Sequence, residues 1–335
     1  MIKLKQKWTQ IISFINKNIT KYKTKIDFKK VKIIFALLII FIYSCFVFYL
    51  KIKEMNETKI CICTLAKQEN LYIREYLEHY KKYGINKIFL YDNNDINGEK
   101  FEDVISDYIK SGFVEIFDWR GRKRAIFKIL NDCFRKQKKE YDWVMISEID
   151  EFIHLYNYTK VSAFLNEPKF KYCEVVHLNL VCHTDNEQLH YENKSLKERF
   201  PKIVPSSMPG GKKLEIKPIL RGKLNDIYID CMHRGYIKAR ECDGFGQAHK
   251  FSDIYSLEPD TTYYYYDHYY SKSTEEFAKK VNRRGGFEIS NRFCMDRIRK
   301  YFDENTLTME KILILENRTG LDLSSYKKKL NKKSY

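Results

Sequence analysis

Beyond residue 58 the chain alternates short apolar runs that stop at polar residues with stretches whose apolar positions recur at helical spacing. KICICTL (59–65) predicts a first strand, ending in the turn Ala66, Lys67, Gln68, Glu69, Asn70. Ile73, Tyr76, Leu77 and Tyr80 then mark one face of a helix that closes at Gly84. KIFLY (87–91) is a second strand and halts at Asp92, Asn93, Asn94 and Asp95. Residues 101–110 read as a second helix with Gly112 behind it, 113–117 as a third strand and 122–137 as a third helix. WVMI (143–146) is a fourth strand, stopping at Glu148, Asp150 and Glu151. This order predicts an α/β fold: a doubly wound, mostly parallel sheet with helices on both faces.

Downstream the pattern is less regular. Residues 171–181 read as a strand pair or one long strand, and EIKPILRG and IDCMHRGY as further strands, with turns at Gly210, Gly211 and Gly222. The tyrosine run 263–266 is a strand leading into His268. A helix follows, capped by Ser273 or Thr274, with Glu275 and Glu276 in its first turn.

Ahead of the strands, IIFALLIIFIYSCFVFYL (33–50) holds no charged residue. Eighteen helical residues reach about 27 Å, near the hydrocarbon thickness of a thin bilayer. This predicts one transmembrane anchor, closed by Lys51 and Lys53. The net charge of +17 is distributed unevenly: ten lysines against the single acid Asp27 in the first 32 residues account for about half of it. That bias keeps the amino terminus cytosolic and sends the rest across, a single-pass type II arrangement with a lumenal domain (Golgi or ER) in a eukaryote. The body between the arm and the lysine-rich tail is nearly balanced and has no basic helix or stacked-aromatic motif, so nucleic acid is excluded as a partner. Eight cysteines outside the span permit disulfides in an oxidising lumen. No C-x-x-C pair occurs, which argues against zinc. Sequons at Asn56, Asn157, Asn193 and Asn317 fit a secretory location.

In a parallel sheet the polar strand ends share one edge, where ligands bind. Glu148 and Asp150 are two apart, so in an extended segment both project to one side. Two hard oxygen ligands there suit Mn²⁺ or Mg²⁺ bridging a substrate's phosphates. Neither G-x-G-x-x-G nor G-x-x-x-x-G-K-[ST] is present, which removes the dinucleotide and P-loop classes.

KICICTLAKQENLYIREYLEHYKKYGINKIFLYDNN and WVMISEIDEF, with DHYYSKSTEEFAKKVNRRGG further on, resemble the nucleotide-sugar half of GT-A glycosyltransferases. The resemblance is to the family 92 group, also called domain of unknown function 23, and to relatives filed with family 2. It spans about 59–286, with Glu69, His79, Tyr91, Asp92, Asn93, Asp150, Glu151 and Phe152 matching. Glu148 stands where the family has an aspartate, and Arg122 where relatives often have glutamine. The resemblance implies a metal-dependent, inverting transfer from a nucleotide-sugar donor to a hydroxyl of a glycan or glycoconjugate acceptor. Glu148, Asp150 and His268 are then the metal ligands. Thr64, Ala66, Glu69, Asp92, Asn94, Arg122, Lys272 and Arg284 are donor-binding candidates. Asp150, Glu151, Asp185 and Asp243 are catalytic candidates, the last two as guesses at the base. The domain order is a basic arm (1–32), the anchor (33–50), a stalk (51–58), a donor half (59–160), an acceptor half with the histidine motif (161–300), and a terminal helix and basic tail (301–335). Two alternatives use the same residues: a membrane-anchored nucleotide-sugar-binding protein with a degenerate site, and another metal-dependent phosphate-ester enzyme.

Overall fold

The computed structural model describes residues 10, 13, 17, 28–55, 57–122, 126–207, 213–225, 227–229, 232–234, 236–237, 239–248, 251–252, 254–283 and 291–333. The chain divides into two compact units, Met1–Glu57 and Thr58–Tyr335. The first contains helix α1 (Phe28–Met55), which leaves Ile34, Leu37, Ile40 and Phe41 exposed. Its described side chains run from 34 to 47. Among the described residues no helix is long and apolar enough to cross a membrane, so the crossing expected over 33–50 is not met among them.

In the second unit the expected alternation is present: β1 (Ile60–Ala66), α2 (Ile73–Lys82), β2 (Lys87–Asp92), α3 (Glu102–Lys110), β3 (Val114–Asp118), α4 (Ile126–Gln137) and β4 (Trp143–Ile146). β1 is buried almost throughout, as a parallel strand between two helical layers must be. The helices α2 and α3 cover one face through Ile73, Tyr76, Leu77, Tyr80, Ile105 and Tyr108. On the other face α4 packs Ile129, Leu130 and Phe134 against Cys61, Phe89 and Val144.

After β5 (Glu151–Leu155) come α5 (Val161–Leu165), β6 (Val175–Cys182), α6 (Leu196–Arg199) and β7 (Leu214–Arg221). Short strands follow: β8 (Ile227–Tyr228), β9 (Tyr236–Ile237), β10 (Glu241–Cys242), β11 (Phe251–Ser252) and β12 (Tyr255–Ser256). β13 (Tyr264–His268), α7 (Thr274–Asn282), α8 (Asn291–Glu304), α9 (Met309–Thr319) and α10 (Ser324–Lys333) complete the unit. The sheet order is β3-β2-β1-β4-β7-β6-β13-β5. Its first four strands are parallel, whereas β7 lies antiparallel between β4 and β6, and β5 runs antiparallel to β13. The region 171–181 thus holds one strand, β6, which starts only at Val175, and 59–160 and 161–300 share a single sheet.

This pairing positions the site. The carboxyl ends of β1, β2, β4, β6 and β13 reach one edge of the sheet, and the reversed strands β7 and β5 begin there. Gly222 closes β7 against the loop ahead of β4. Its N–H donates to the Asp142 carbonyl at 2.7 Å, and a Cβ there would sit 1.9 Å from the Tyr141 carbonyl oxygen.

Two disulfides add crosslinks: Cys63–Cys133 joins β1 to α4, and Cys173–Cys242 joins the approach to β6 to β10. The first closes a loop with a sequence separation of 70 residues. Replacing Cys63 and Cys133 by serine is expected to lower the unfolding free energy of the Thr58–Tyr335 unit by about 2–4 kcal/mol. The measure is the denaturant midpoint, and an unchanged midpoint would show that the crosslink contributes nothing.

Candidate active site

The acidic turn 147–151 joins β4 to β5 at the shared edge. Asp150 is 2% exposed, and its carboxylate is met by Lys280 from α7 at 2.7 Å and by Lys272 at 3.7 Å. Burial opposes ionisation of Asp150, but attraction to Lys280 and Lys272 outweighs it and holds the group well below the usual carboxylate range. Lys280 also donates to the Tyr270 carbonyl at 3.3 Å and lies 4.1 Å above the Tyr270 ring. Its pKa is lowered, chiefly by burial.

Lys217 forms a second pairing. It is fully buried on β7 and places its ammonium 2.8 Å from Glu151 and 3.2 Å from Glu148. The other Glu151 oxygen accepts the Glu148 N–H at 2.9 Å. Burial pushes the Glu151 carboxyl up to about 8 despite Lys217. Glu148 has the opposite balance: burial is outweighed by Lys217 and Lys280, and its carboxyl lies below the ordinary range.

His268 ends β13 opposite Glu151. Its Nε2 lies 3.8 Å from Asp150 and 4.0 Å from Glu151 and has no hydrogen-bond partner among the described residues. Burial pushes its pKa down to about 3, leaving a neutral imidazole. Ligand atoms of Glu148, Glu151 and His268 all lie within 4.8 Å of one another. Two carboxylate oxygens and an unpartnered imidazole nitrogen fit Mn²⁺ or Mg²⁺. The geometry therefore groups Glu151 with Glu148 and His268, while Asp150, the ligand expected from the sequence, is engaged by lysines.

A cavity of about 340 Å³ adjoins Asp150 and is lined by Glu69, Tyr72, Lys272, Lys279, Lys280 and Arg283 among others. Glu69 accepts from Lys272 at 3.0 Å and from Arg283. Lys272 is 3.9 Å above the Tyr72 ring and has φ +52°, a left-handed backbone that a side-chain-bearing residue rarely adopts.

The other expected donor residues line the edge rather than this cavity. Thr64 is buried on β1, and the Ala66 carbonyl accepts the Asn93 N–H at 2.9 Å. The Asn94 side chain accepts the Gln68 N–H at 2.7 Å. Asp92 is fully buried and occupied: Arg120 donates to it at 2.7 Å and the Asn94 N–H at 2.9 Å. Arg122 lies 4.5 Å over the Trp119 ring. Arg284 lies outside the described residues. Asp185 is 1% exposed, 2.6 Å from Lys311 and accepting from the Tyr301 hydroxyl at 2.5 Å, so it ties α8 and α9 to the loop after β6. Asp243 caps its own turn, accepting the N–H groups of Phe245 at 2.9 Å and Gln247 at 3.0 Å. These bonds give both aspartates a bracing role in place of the base role expected for them.

Lys217, Lys280 and Arg120 escaped the sequence reading. Lys217 is the one charge inside the apolar run IKPIL, and a cation there signals a buried anion opposite. Lys280 belongs to the quoted EEFAKK segment, one helical turn beyond the acidic first turn.

The chain was compared with known proteins. Residues 56–211 match the sequence model of glycosyltransferase family 92. A glycosyltransferase family 92 protein of Oryza sativa subsp. japonica is 26% identical over 98 residues, 28% of this chain and 16% of that protein. One of Ricinus communis is 23% identical over 129 residues, 38% of this chain and 22% of the relative. The matched stretch thus covers under a quarter of these relatives' length. Among solved structures, S. aureus TarS 1–349 in complex with UDP-GlcNAc is similar at 15% identity and TM-score 0.35, covering 80% of each chain. A mannosyltransferase of Pyrobaculum calidifontis, in complex with GDP-Man and Mn²⁺, is similar at 12% identity and TM-score 0.28, covering 46% of this chain and 49% of that one. Over residues 56–211 the chain is thus similar in sequence to glycosyltransferase family 92.

Proposed function

We propose that the Thr58–Tyr335 unit transfers a sugar from a nucleotide-sugar donor to an acceptor hydroxyl, with inversion at the anomeric carbon. The observation that carries this reading is the buried acidic turn set against a cavity lined by Lys272, Lys279, Lys280 and Arg283. Lysine and arginine donors gathered at one strand edge, each aimed by a buried acid, suit a diphosphate.

Lys272, Lys280 and Arg283 hold the diphosphate in this reading, and Asp150 aims the Lys280 ammonium. A divalent cation on Glu148, Glu151 and His268 would supply charge neutralisation for the departing nucleoside diphosphate. The polar turns after β1 and β2 support the nucleoside end, with Asp92 holding them in shape through Arg120 and the Asn94 N–H. Tyr72, flat beneath Lys272, excludes water from that ammonium.

The same reading extends to placement. The two disulfides and the exposed sequons Asn157, Asn193 and Asn317 support placement of the Thr58–Tyr335 unit in an oxidising lumen.

Three outcomes are expected. Asp150→Asn and Lys280→Met are each expected to cut transfer from UDP- or GDP-sugars by roughly 10²-fold or more, while circular dichroism keeps its native form; full activity of Asp150→Ala would overturn the site assignment. MnCl₂ is expected to raise the Tm of the wild-type unit but not that of Glu151→Gln/His268→Ala, and an equal rise in both would remove the metal from these residues. In a eukaryotic host, enzymatic deglycosylation is expected to lower the mass of the full chain, with the shift shrinking in Asn193→Gln; an unmodified chain would refute lumenal placement.

A further inference from the structure

Two of the cations assigned to the diphosphate already hold an anion. Lys272 precedes α7 and Arg283 follows it, yet both side chains converge on one carboxylate: Lys272 Nζ donates to Glu69 Oε2 at 3.0 Å and Arg283 Nη1 to Glu69 Oε1. Glu69 thus offers one oxygen to each cation, as two oxygens of a phosphate would. The carboxylate that aims the pair also neutralises it. A phosphate brought to Lys272 and Arg283 with Glu69 in place would lie beside a second anion with no proton between them, and one of the two positive charges would already be cancelled.

The surroundings allow Glu69 to leave while the cations stay. Its carbonyl accepts the N–H groups of Tyr72 and Ile73, each at 3.0 Å, so its backbone is tied to the start of α2. The bonds to Lys272 and Arg283 are made by the carboxylate alone. Glu69 lines the cavity of about 340 Å³, which gives the side chain room to rotate without disturbing that backbone. Each cation also has a second holder. Arg283 donates to the Lys67 carbonyl at 2.9 Å, and Lys272 lies 3.9 Å above the Tyr72 ring and 3.7 Å from Asp150. Both therefore remain at the cavity wall once Glu69 has turned away.

We propose that Glu69 holds the place of one donor phosphate and gives it up when the donor binds, so that Lys272 and Arg283 exchange a carboxylate for a phosphate. This rests on the transferase reading above, which makes a nucleoside diphosphate the ligand of the cavity. Glu69 then acts against donor affinity, the reverse of the donor contact expected for it from the sequence. Its charge keeps two buried cations compensated until a stronger anion replaces it.

The test uses the full chain in EDTA, with inorganic pyrophosphate as the probe and calorimetry for Kd. Glu69→Gln keeps the size of the side chain and removes its charge. It is expected to lower the pyrophosphate Kd by about 10- to 100-fold, the range of a hydrogen bond to a charged group. The variant's own Tm is expected to fall, and pyrophosphate to raise it by more than it raises that of wild type. Glu69→Asp keeps the charge on an arm one methylene shorter, too short to bridge both cations, and its Kd is expected between those of wild type and Glu69→Gln. A Glu69→Gln Kd within about twofold of wild type, or weaker, overturns the proposal. Should circular dichroism show Glu69→Gln unfolded, Glu69→Asp decides by the same criterion. The transferase reading is checked separately, on wild type with MnCl₂, a panel of UDP- and GDP-hexoses and methyl hexosides as acceptors. Transfer by wild type with an unchanged variant Kd removes the Glu69 exchange alone. Absence of transfer and of UDP or GDP binding, with pyrophosphate still held more tightly by Glu69→Gln, removes the nucleotide-sugar reading and leaves the exchange.

Discussion

The ion pair between Asp150 and Lys280 joins groups 130 residues apart in sequence, and the geometry of the edge depends on it. A carboxylate as buried as Asp150 is sustainable only beside a cation that is itself well held. Lys280 meets that condition because α7 is fixed at its start: the Ser273 side chain and Glu276 form a capping box, and Glu276 also pairs with the fully buried Arg199 at 2.5 Å. The loop after β13 contributes Lys272, held by Glu69 from the turn after β1. Three segments far apart in sequence are thus locked together by charge at one point. Breaking either end leaves an uncompensated buried ion, a cost of about 3–5 kcal/mol.

The parallel half of the fold was legible because each of its elements satisfies a local rule. Ile73, Tyr76, Leu77 and Tyr80 keep helical spacing, and the apolar runs of β1, β2 and β4 are the length of strands buried on both faces. The second half obeys no such local rule. β6 is buried at all eight positions, so its run does not reveal its partners, and β7 enters the sheet between β4 and β6 from far along the chain. Antiparallel insertion of this kind is decided by tertiary packing.

The candidate site was legible in proportion to how locally it is built. The strand-end turns carrying Glu69, Asp92, Glu148 and Asp150 follow from the alternation, since parallel strands must all stop at one edge. Which acids share a partner does not follow. The two-residue spacing that suggested Glu148 and Asp150 as joint ligands assumes an extended segment, whereas residues 149–150 form a turn and Glu151 begins β5. The turn directs Asp150 toward α7 and leaves Glu148 and Glu151 to share Lys217. Lys217 comes from the strand whose pairing was not readable, so its role was not readable either.

That same strand carries two charged groups to one face of the sheet. β7 carries Lys217 against the acidic turn and, two residues earlier on the same face, Glu215 against Lys300 and His233. β13 carries His268 and leads directly to Tyr270, the ring between the two lysine–carboxylate pairs. Spacing along a strand is set by backbone geometry and does not drift as a loop does. A displacement of β7 large enough to uncouple Lys217 from Glu151 would also carry Glu215 away from Lys300. The spacing between the Lys217 and Glu215 ion pairs is therefore a property of the sheet. The loops and α7 determine which groups meet them.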